Sequence, residues 1–281
     1  MSVTQLNIQS LAQIIGTAPW RLGLAHDRPH HTLFWFTRGQ GRILLDGRRR
    51  GLGTHNAVFV PAGALFAIEP GPQSLGQVVI MPEGTPLRLP DMARHLRVRD
   101  VHTQSELTAL IEVAQREQSQ SRPLAQDALE AHVSLISVWL RRQITLEEHV
   151  PIKRSAGERL SQRFAQLIPE NYTSGAPMSF YADKLGVTPT HLTRTVKAAT
   201  GKTAADLLTE RVVHAARTLL ETTDHPARNI AKHLGFGSAA YFTRFMQHHA
   251  GRSPSQLRSP TQKANISQQK PRPTNRLKAA Q

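Results

Sequence analysis

The chain has 281 residues and no cysteine, which suits about two domains and excludes disulfides and thiolate metal sites. Its 35 Lys and Arg against 20 Asp and Glu give a net charge of +15, and no apolar run approaches the roughly 20 residues of a membrane-spanning helix. Residues 1–150 hold 15 basic and 13 acidic side chains, residues 151–281 hold 20 and 7, and no lysine precedes Lys153, so the second half alone suits a polyanion.

The first residues, MSVTQLNIQSLAQIIG, lack a basic stretch followed by a continuous apolar one. Export is therefore not expected, and a cytoplasmic, nucleoid-associated location is. Residues 31–47, HTLFWFTRGQGRILLDG, alternate and then turn at Arg-Gly-Gln-Gly. Residues 56–71, NAVFVPAGALFAIEPG, read as a second strand pair around Pro61-Ala-Gly63, and 74–82, SLGQVVIMP, as a third. Short strands closed by Gly and Pro turns predict a small antiparallel barrel or jelly roll.

An open barrel lined by apolar groups is a small-molecule site. Its candidate walls are Phe34, Trp35, Phe36, Phe66, Ile68, Leu75 and Gln77, with only alternate residues of each strand facing inward. His31 is expected half inside. Arg38 supplies a guanidinium suited to a carboxylate or a sugar hydroxyl. Walls this apolar favour a small aromatic or carboxylate-bearing effector over a sugar.

Residues 104–149 turn helical. Within 124–142, LAQDALEAHVSLISVWLRR, the residues Leu129, Val133, Ile136 and Leu140 recur at steps of four, three and four. That is a coiled-coil-like seam, which can pair with a second copy or dock on the barrel. EEHVPIKRSAG (147–157) reads as a linker. The end, from Ser259, is polar, Pro-bearing and basic, and disorder is expected there.

Between linker and tail lies a repeat. LGVTPTHLTRTVKAATGKTAADLL (185–208) parallels LGFGSAAYFTRFMQHHAGRSPSQLR (234–258). Leu185-Gly186 matches Leu234-Gly235, Leu192-Thr-Arg194 matches Phe242-Thr-Arg244, Gly201 matches Gly251 and Leu207 matches Leu257. Each copy reads as a helix, a glycine turn and a second helix opened by a capping hydroxyl, Thr188 or Ser238. Ala182 and Ala231, four residues before the turn glycines, allow a close helix crossing. In the second copy Leu234, Phe236, Phe242, Phe245 and Met246 are expected to wedge the helices together. Residues 203–223 form an amphipathic connecting helix. About 20 helical residues span roughly 30 Å, close to the ~34 Å between successive major-groove faces, so one chain could place two recognition helices on one side of a duplex.

The second copy, IAKHLGFGSAAYFTRFMQHHAGRSPSQLR, resembles the AraC/XylS transcriptional regulators, and the resemblance covers about 155–258. It implies recognition helices at 188–199 and 238–249. Carried over by position, the base-facing side chains are Thr190, Thr193, Arg194 and Lys197 in the first, and Ala239, Ala240, Thr243, Arg244 and Gln247 in the second. Arg194 and Arg244 can each make a bidentate contact to guanine, whereas Ala239 and Ala240 offer only methyl contact to thymine. Lys184, Lys202, Lys232 and Arg252 are expected at phosphates.

The turns at 38–41 and 61–63 are similar to the cupin-like arm of arabinose-type regulators. That resemblance implies a cupin-like barrel with 124–142 as dimer helix. Metal cupins pair His-x-His and Glu on the first strands with a final His after the Pro-x-Gly turn; here His30 is followed by His31-Thr32, and Phe66 stands where the last His would. No metal and no cofactor are therefore expected, and His26, His30, His31 and His55 read as a solvated loop.

The expected fold class is α+β in two domains. A cupin-like jelly roll with a helical dimerisation segment spans 1–149, a linker 150–157, an all-α tandem helix-turn-helix domain 158–258 and a disordered tail 259–281. The expected function is effector-controlled, sequence-specific binding of double-stranded DNA by a homodimer without enzymatic activity, with RNA polymerase a further partner if it activates. The alternatives are a metal-cupin enzyme fused to a DNA-targeting module and a weakly specific nucleoid-type DNA binder.

Overall fold

The computed structural model describes residues 5–120, 122–147 and 154–258. Half of the expected linker, 150–153, and the whole expected disordered tail lie outside them, and the rest of the linker runs into a helix that starts at Ala156. By contacts the chain falls into two units, residues 1–172 with 176–211 and residues 173–175 with 212–281.

The first unit begins with β1 (Asn7–Ser10) and two short helices, α1 (Leu11–Ile15) and α2 (Trp20–Gly23). Seven strands follow: β2 (His30–Arg38), β3 (Gly41–Leu45), β4 (Arg48–Leu52), β5 (Asn56–Val60), β6 (Phe66–Pro70), β7 (Leu75–Pro82) and β8 (Arg94–Arg97). They form two antiparallel sheets, one five-stranded in the order β1-β7-β2-β5-β8 and one three-stranded in the order β4-β3-β6.

The strand-rich sandwich matches the expected class, but its pairing differs from the expected hairpins. The Arg-Gly-Gln-Gly turn leads from β2 in the large sheet to β3 in the small one, and Pro61-Ala-Gly63 leads from β5 to β6 in the same way. Both turns switch sheets. The two-residue hairpin is β3–β4, closed by Asp46 and Gly47, which both have positive φ (54° and 65°). An Asp-Gly pair suits that mirror-image turn, whose twist matches the strands it joins.

The large sheet is buried on both faces, so β2 reads as a nearly continuous apolar run. Phe34, Phe36, Val58, Val60, Val78 and Ile80 face the small sheet and meet Ile43, Leu45, Phe66 and Ile68 there. Leu33, Trp35, Phe59, Val79 and Met81 face the opposite way, under α3 (Val101–Ser119) and α4 (Ala125–Glu147). Leu129, Val133, Ile136 and Leu140 all lie in this second core, fully buried within the subunit. The seam expected to pair two copies is therefore spent on the protein's own sheet and on α3.

The first unit continues through α5 (Ala156–Asn171), α6 (Met178–Leu185), α7 (Pro189–Thr200) and the first half of α8 (Ala204–Thr222). These helices pack on the small sheet. Leu44, Leu65 and Ala67 join one apolar cluster with Phe164, Ile168, Tyr181 and Leu192. Around it Arg154 pairs with Asp46 at 2.9 Å, Arg48 with Glu158 at 2.8 Å, and Arg211 with Asp27. Ser161 Oγ donates to the Gly47 carbonyl at 2.7 Å. A Cβ on Gly47 would stand 2.5 Å from the Ser161 carbonyl oxygen, so the turn glycine also permits this close approach. The contact division thus groups the first helix pair with the sandwich and runs through α8.

The second unit holds the rest of α8, α9 (Ala227–His233), α10 (Ala239–Ala250) and α11 (Pro254–Leu257). Arg258 closes it, buried, donating to the carbonyls of Thr223 at 3.2 Å and of His225.

Candidate nucleic-acid interface

The two helix pairs are built alike down to individual hydrogen bonds. After α6, Gly186 is left-handed (φ 68°), and its N–H reaches the Asp183 carbonyl at 3.1 Å while the Val187 N–H reaches Ala182 at 3.0 Å. After α9, Gly235 is left-handed (φ 76°), and its N–H reaches Lys232 at 3.1 Å while the Phe236 N–H reaches Ala231 at 2.9 Å. Both are the paired terminal bonds of a Schellman motif, which satisfy the last helical carbonyls. Two residues after Gly186, Thr188 Oγ1 accepts from the His191 N–H at 3.2 Å, and three residues after Gly235, Ser238 Oγ accepts from the Tyr241 N–H at 3.1 Å. Each cap starts a twelve-residue helix that ends on another left-handed glycine, Gly201 or Gly251.

Packing turns one face of each of these helices inward. Leu192 and Val196 of α7 and Phe242 and Met246 of α10 are fully buried. Phe236 lies edge-on to Phe242 at 5.1 Å and to Phe245 at 5.0 Å, so the expected wedge is in place. The opposite face is open. Thr190, Arg194 and Lys197 are exposed on α7, with Thr193 half-buried. Ala239, Ala240, Arg244 and Gln247 are exposed on α10, with Thr243 half-buried. The Thr243 hydroxyl donates back to the Ala239 carbonyl at 2.9 Å, which leaves its oxygen as an acceptor. Arg194 Nη2 lies 3.3 Å from His191 Nδ1.

Tyr241 was not among the expected contacts. It is 55% exposed on the first turn of α10, steadied by Phe236 at 5.8 Å. His191 occupies the matching position on α7 and is also exposed. The repeat itself carries the signal, because His191 and Tyr241 each directly precede the buried Leu192 or Phe242.

The cations expected at phosphates divide. Lys184, Lys232 and Arg252 are exposed. The Lys202 ammonium instead sits 2.7 Å from Glu210 and 3.5 Å from Glu69, half-buried between two carboxylates.

A family model described as a helix-turn-helix domain matches residues 181–259. The chain carries an AraC-type helix-turn-helix domain, a DNA-binding unit. The AraC-type domain thus covers both turns and both second helices, α7 and α10. No curated protein matches. Among solved structures, ToxT of Vibrio cholerae with a bound unsaturated fatty acid is 11% identical over 91% of this chain and 95% of its own, at a TM-score of 0.42. The C-terminal domain of the response regulator YesN of Fusobacterium nucleatum is 27% identical over 34% of this chain and 94% of its own, at 0.33. The DNA-binding domain of the global transcriptional factor AdpA, in complex with a target DNA, is 21% identical over 39% and 95%, at 0.33.

The expected effector wall is partly reversed. Phe66 and Ile68 do face the space between the sheets. Trp35 and Gln77, paired across β2 and β7, face the helices instead; Trp35 Nε1 donates to Thr108 Oγ1 at 3.1 Å and its ring meets Trp139 edge-on. His31 is on that side too, stacked on Phe59 with Nδ1 accepting from the Ala62 N–H at 3.2 Å. Arg38 and its cross-strand partner Leu75 are exposed at the strand ends. The cause is alternation on a sheet covered on both sides, where the apolar pattern marks no inner face.

The histidines read as a solvated loop are not one. His26 and His30 are buried, and His55 stacks on Trp35 at 5.7 Å. Alternation sends the adjacent His30 and His31 to opposite faces of β2. Among the described residues no three of His, Asp and Glu stand together as metal ligands would. No described helix is long and apolar enough to cross a membrane.

Proposed function

We propose that this protein is an effector-responsive transcription regulator that reads DNA through both turns and acts without catalysing a reaction of its own. The observation that carries the reading is the duplicated open face, with Arg194 and Arg244 at the same position of two identically capped helices. Each guanidinium can meet a guanine edge bidentately, and exposed cations outside those faces suit phosphates. A selection of randomised DNA on the full chain should return a site with guanines in two segments about one helical turn apart. Equal affinity for random DNA would instead favour a nucleoid-type binder.

The effector belongs in the sandwich, whose inner faces are apolar with a few polar groups between them. The test is whether a small-molecule fraction from cells alters the wild-type affinity for the selected DNA. A second copy, if it pairs through α4, meets the outward face, where Leu135 is 51% and Leu146 69% exposed. Leu135→Asp with Leu146→Asp should convert a sedimenting dimer to monomers with the sandwich intact, because charge buried in an apolar seam is heavily penalised.

A further inference from the structure

The space between the two sheets contains polar groups that the fold leaves unanswered. His30 and Thr32 share the inward parity of Phe34 and Phe36, and the cross-strand partners of Thr32 are Val60 and Ile80, both of the inner core. His30 is 8% exposed and Thr32 1%. Among the described residues, neither ring nitrogen of His30 nor the Thr32 hydroxyl has a hydrogen-bond partner.

Arg28 lies against the same cluster. Its Nε donates to His26 Nε2 at 3.2 Å, and its guanidinium stands 5.6 Å from the centre of the Phe66 ring. His26 Nδ1 lies 2.8 Å from the Leu24 carbonyl, so His26 is the neutral tautomer, donating from Nδ1 and accepting at Nε2. Among the described residues Arg28 has no carboxylate partner: the adjacent Asp27 pairs with Arg211. Burial pulls the Arg28 guanidinium down to about 10, so it stays charged at neutral pH. Burial and the Arg28 charge hold His30 at about 4, so its ring is neutral and donates one N–H.

The cluster therefore has one net positive charge and is rich in donors, with the remaining Arg28 N–H groups, one His30 N–H and the Thr32 hydroxyl. Leaving the His30 and Thr32 groups buried and unpaired costs stability, and among the described residues nothing uses them, while the half-buried Arg28 guanidinium stands at the edge of the cluster. Their complement is a monoanion with two acceptor oxygens. A dianionic phosphate would leave a charge uncompensated inside the core. Beside them Phe34 and Phe66, 5.8 Å apart, offer an apolar wall. A groove of about 620 Å³, lined by Pro61–Leu65, Asp91–Ala93 and one side of α5 and carrying the carboxylates of Asp27, Asp46, Asp91 and Glu170, borders the inner core at Ala64 and Ala93, and the Gly63 N–H on its wall donates to the Arg28 carbonyl at 2.8 Å.

We propose that Arg28, His30 and Thr32 bind the carboxylate of a small apolar acid whose body lies along Phe34 and Phe66. The proposal rests on the effector reading and names the chemical class of the effector and the groups that hold it.

Thermal unfolding of the full chain at constant ionic strength, with millimolar formate, acetate, benzoate or hexanoate against chloride, tests it. Benzoate or hexanoate should raise the wild-type midpoint, benzamide and hexanamide should not, and Arg28→Gln should abolish the shift. No shift with any of the four acids, an equal shift in Arg28→Gln, or equal shifts with the amides would overturn the site. Thr32→Val supplies a measurement free of any ligand. Valine replaces an unanswered hydroxyl, so the ligand-free midpoint should rise by about 2–4 °C, and a fall would mean that the fold itself uses the hydroxyl. Response of DNA affinity to the cellular small-molecule fraction separates the two readings. A response that Arg28→Gln retains removes this site and keeps effector control; no response in the wild type removes effector control.

Discussion

In the first helix-turn-helix unit Gly186 turns in open space, with no atom within 4 Å of where a Cβ would stand. In the second, a Cβ on Gly235 would lie 2.5 Å from the Gly175 nitrogen and 2.6 Å from the Thr173 carbonyl oxygen. The two turns share their hydrogen bonds and their backbone conformation, yet one glycine answers only to φ and the other also to a neighbouring backbone. The cations differ in the opposite sense. Lys202 after α7 is held by Glu210 and Glu69, while Arg252, its counterpart after α10, is exposed and makes no ion pair among the described residues. A repeat conserves what the local chain needs and diverges in what surrounds it.

The largest effect should come from the glycines. Gly235→Ala should cost on the order of 3 kcal/mol, since it forces both a left-handed alanine and a backbone shift, against about 1–2 kcal/mol for Gly186→Ala. Urea unfolding of the two variants measures the difference, and equal losses would mean that the close backbone approach of Gly235 is relieved freely.

Next come the two arginines. Arg194→Ala and Arg244→Ala should each weaken selected DNA by about 1–3 kcal/mol and relax preference at one base pair. A change that left preference intact while weakening random DNA equally would place that arginine at a phosphate.

Salt dependence should separate the two cations. Arg252→Ala should reduce the slope of log affinity against log salt by about 1, the signature of one lost phosphate contact. Lys202→Ala should leave the slope unchanged, because two carboxylates already neutralise its ammonium. A reduced slope for Lys202→Ala would show that DNA draws it away from Glu69 and Glu210.

The smallest effect concerns α10. Replacing both Ala239 and Ala240 by Gln should sharpen the segment read by α10 by about 1 kcal/mol at one or two base pairs, since Gln can bond an adenine edge that a methyl group cannot. Selection on the variant should leave the segment read by α7 unmoved. A wild-type site with equal information in both segments would break the asymmetry outright.

The sequence revealed the helical half almost residue by residue. The expected recognition helices, 188–199 and 238–249, coincide with α7 and α10 once Thr188 and Ser238 are counted as caps. These signals are local: a hydroxyl three residues before the backbone N–H it caps, a glycine where φ turns positive, apolar side chains every three or four positions. The sheet half was legible as strands and illegible as pairings. Asp46-Gly47 carried a local hairpin signal and does close β3–β4, but nothing near Gly39 or Gly63 distinguishes a turn within a sheet from a turn between sheets. In the candidate effector region the same gap placed Trp35 and Gln77 on the wrong face and His30 in solvent.

By itself, then, the sequence determined where each helix starts and stops, the duplicated turn and the exposed arginine-bearing faces of α7 and α10, because those depend on neighbours a few residues away. Tertiary structure alone decided which side of β2 is the interior and whether the Leu129–Leu140 seam meets its own sheet or a second copy. It also decided which cations stay free, and that His30 and Thr32 are buried on the inward side of β2. Each of these depends on partners far away in the chain: the helices over the large sheet, the small sheet beneath it, and carboxylates such as Glu69, 133 residues from Lys202. Periodicity records that a position is buried, and only the packed partners determine against what.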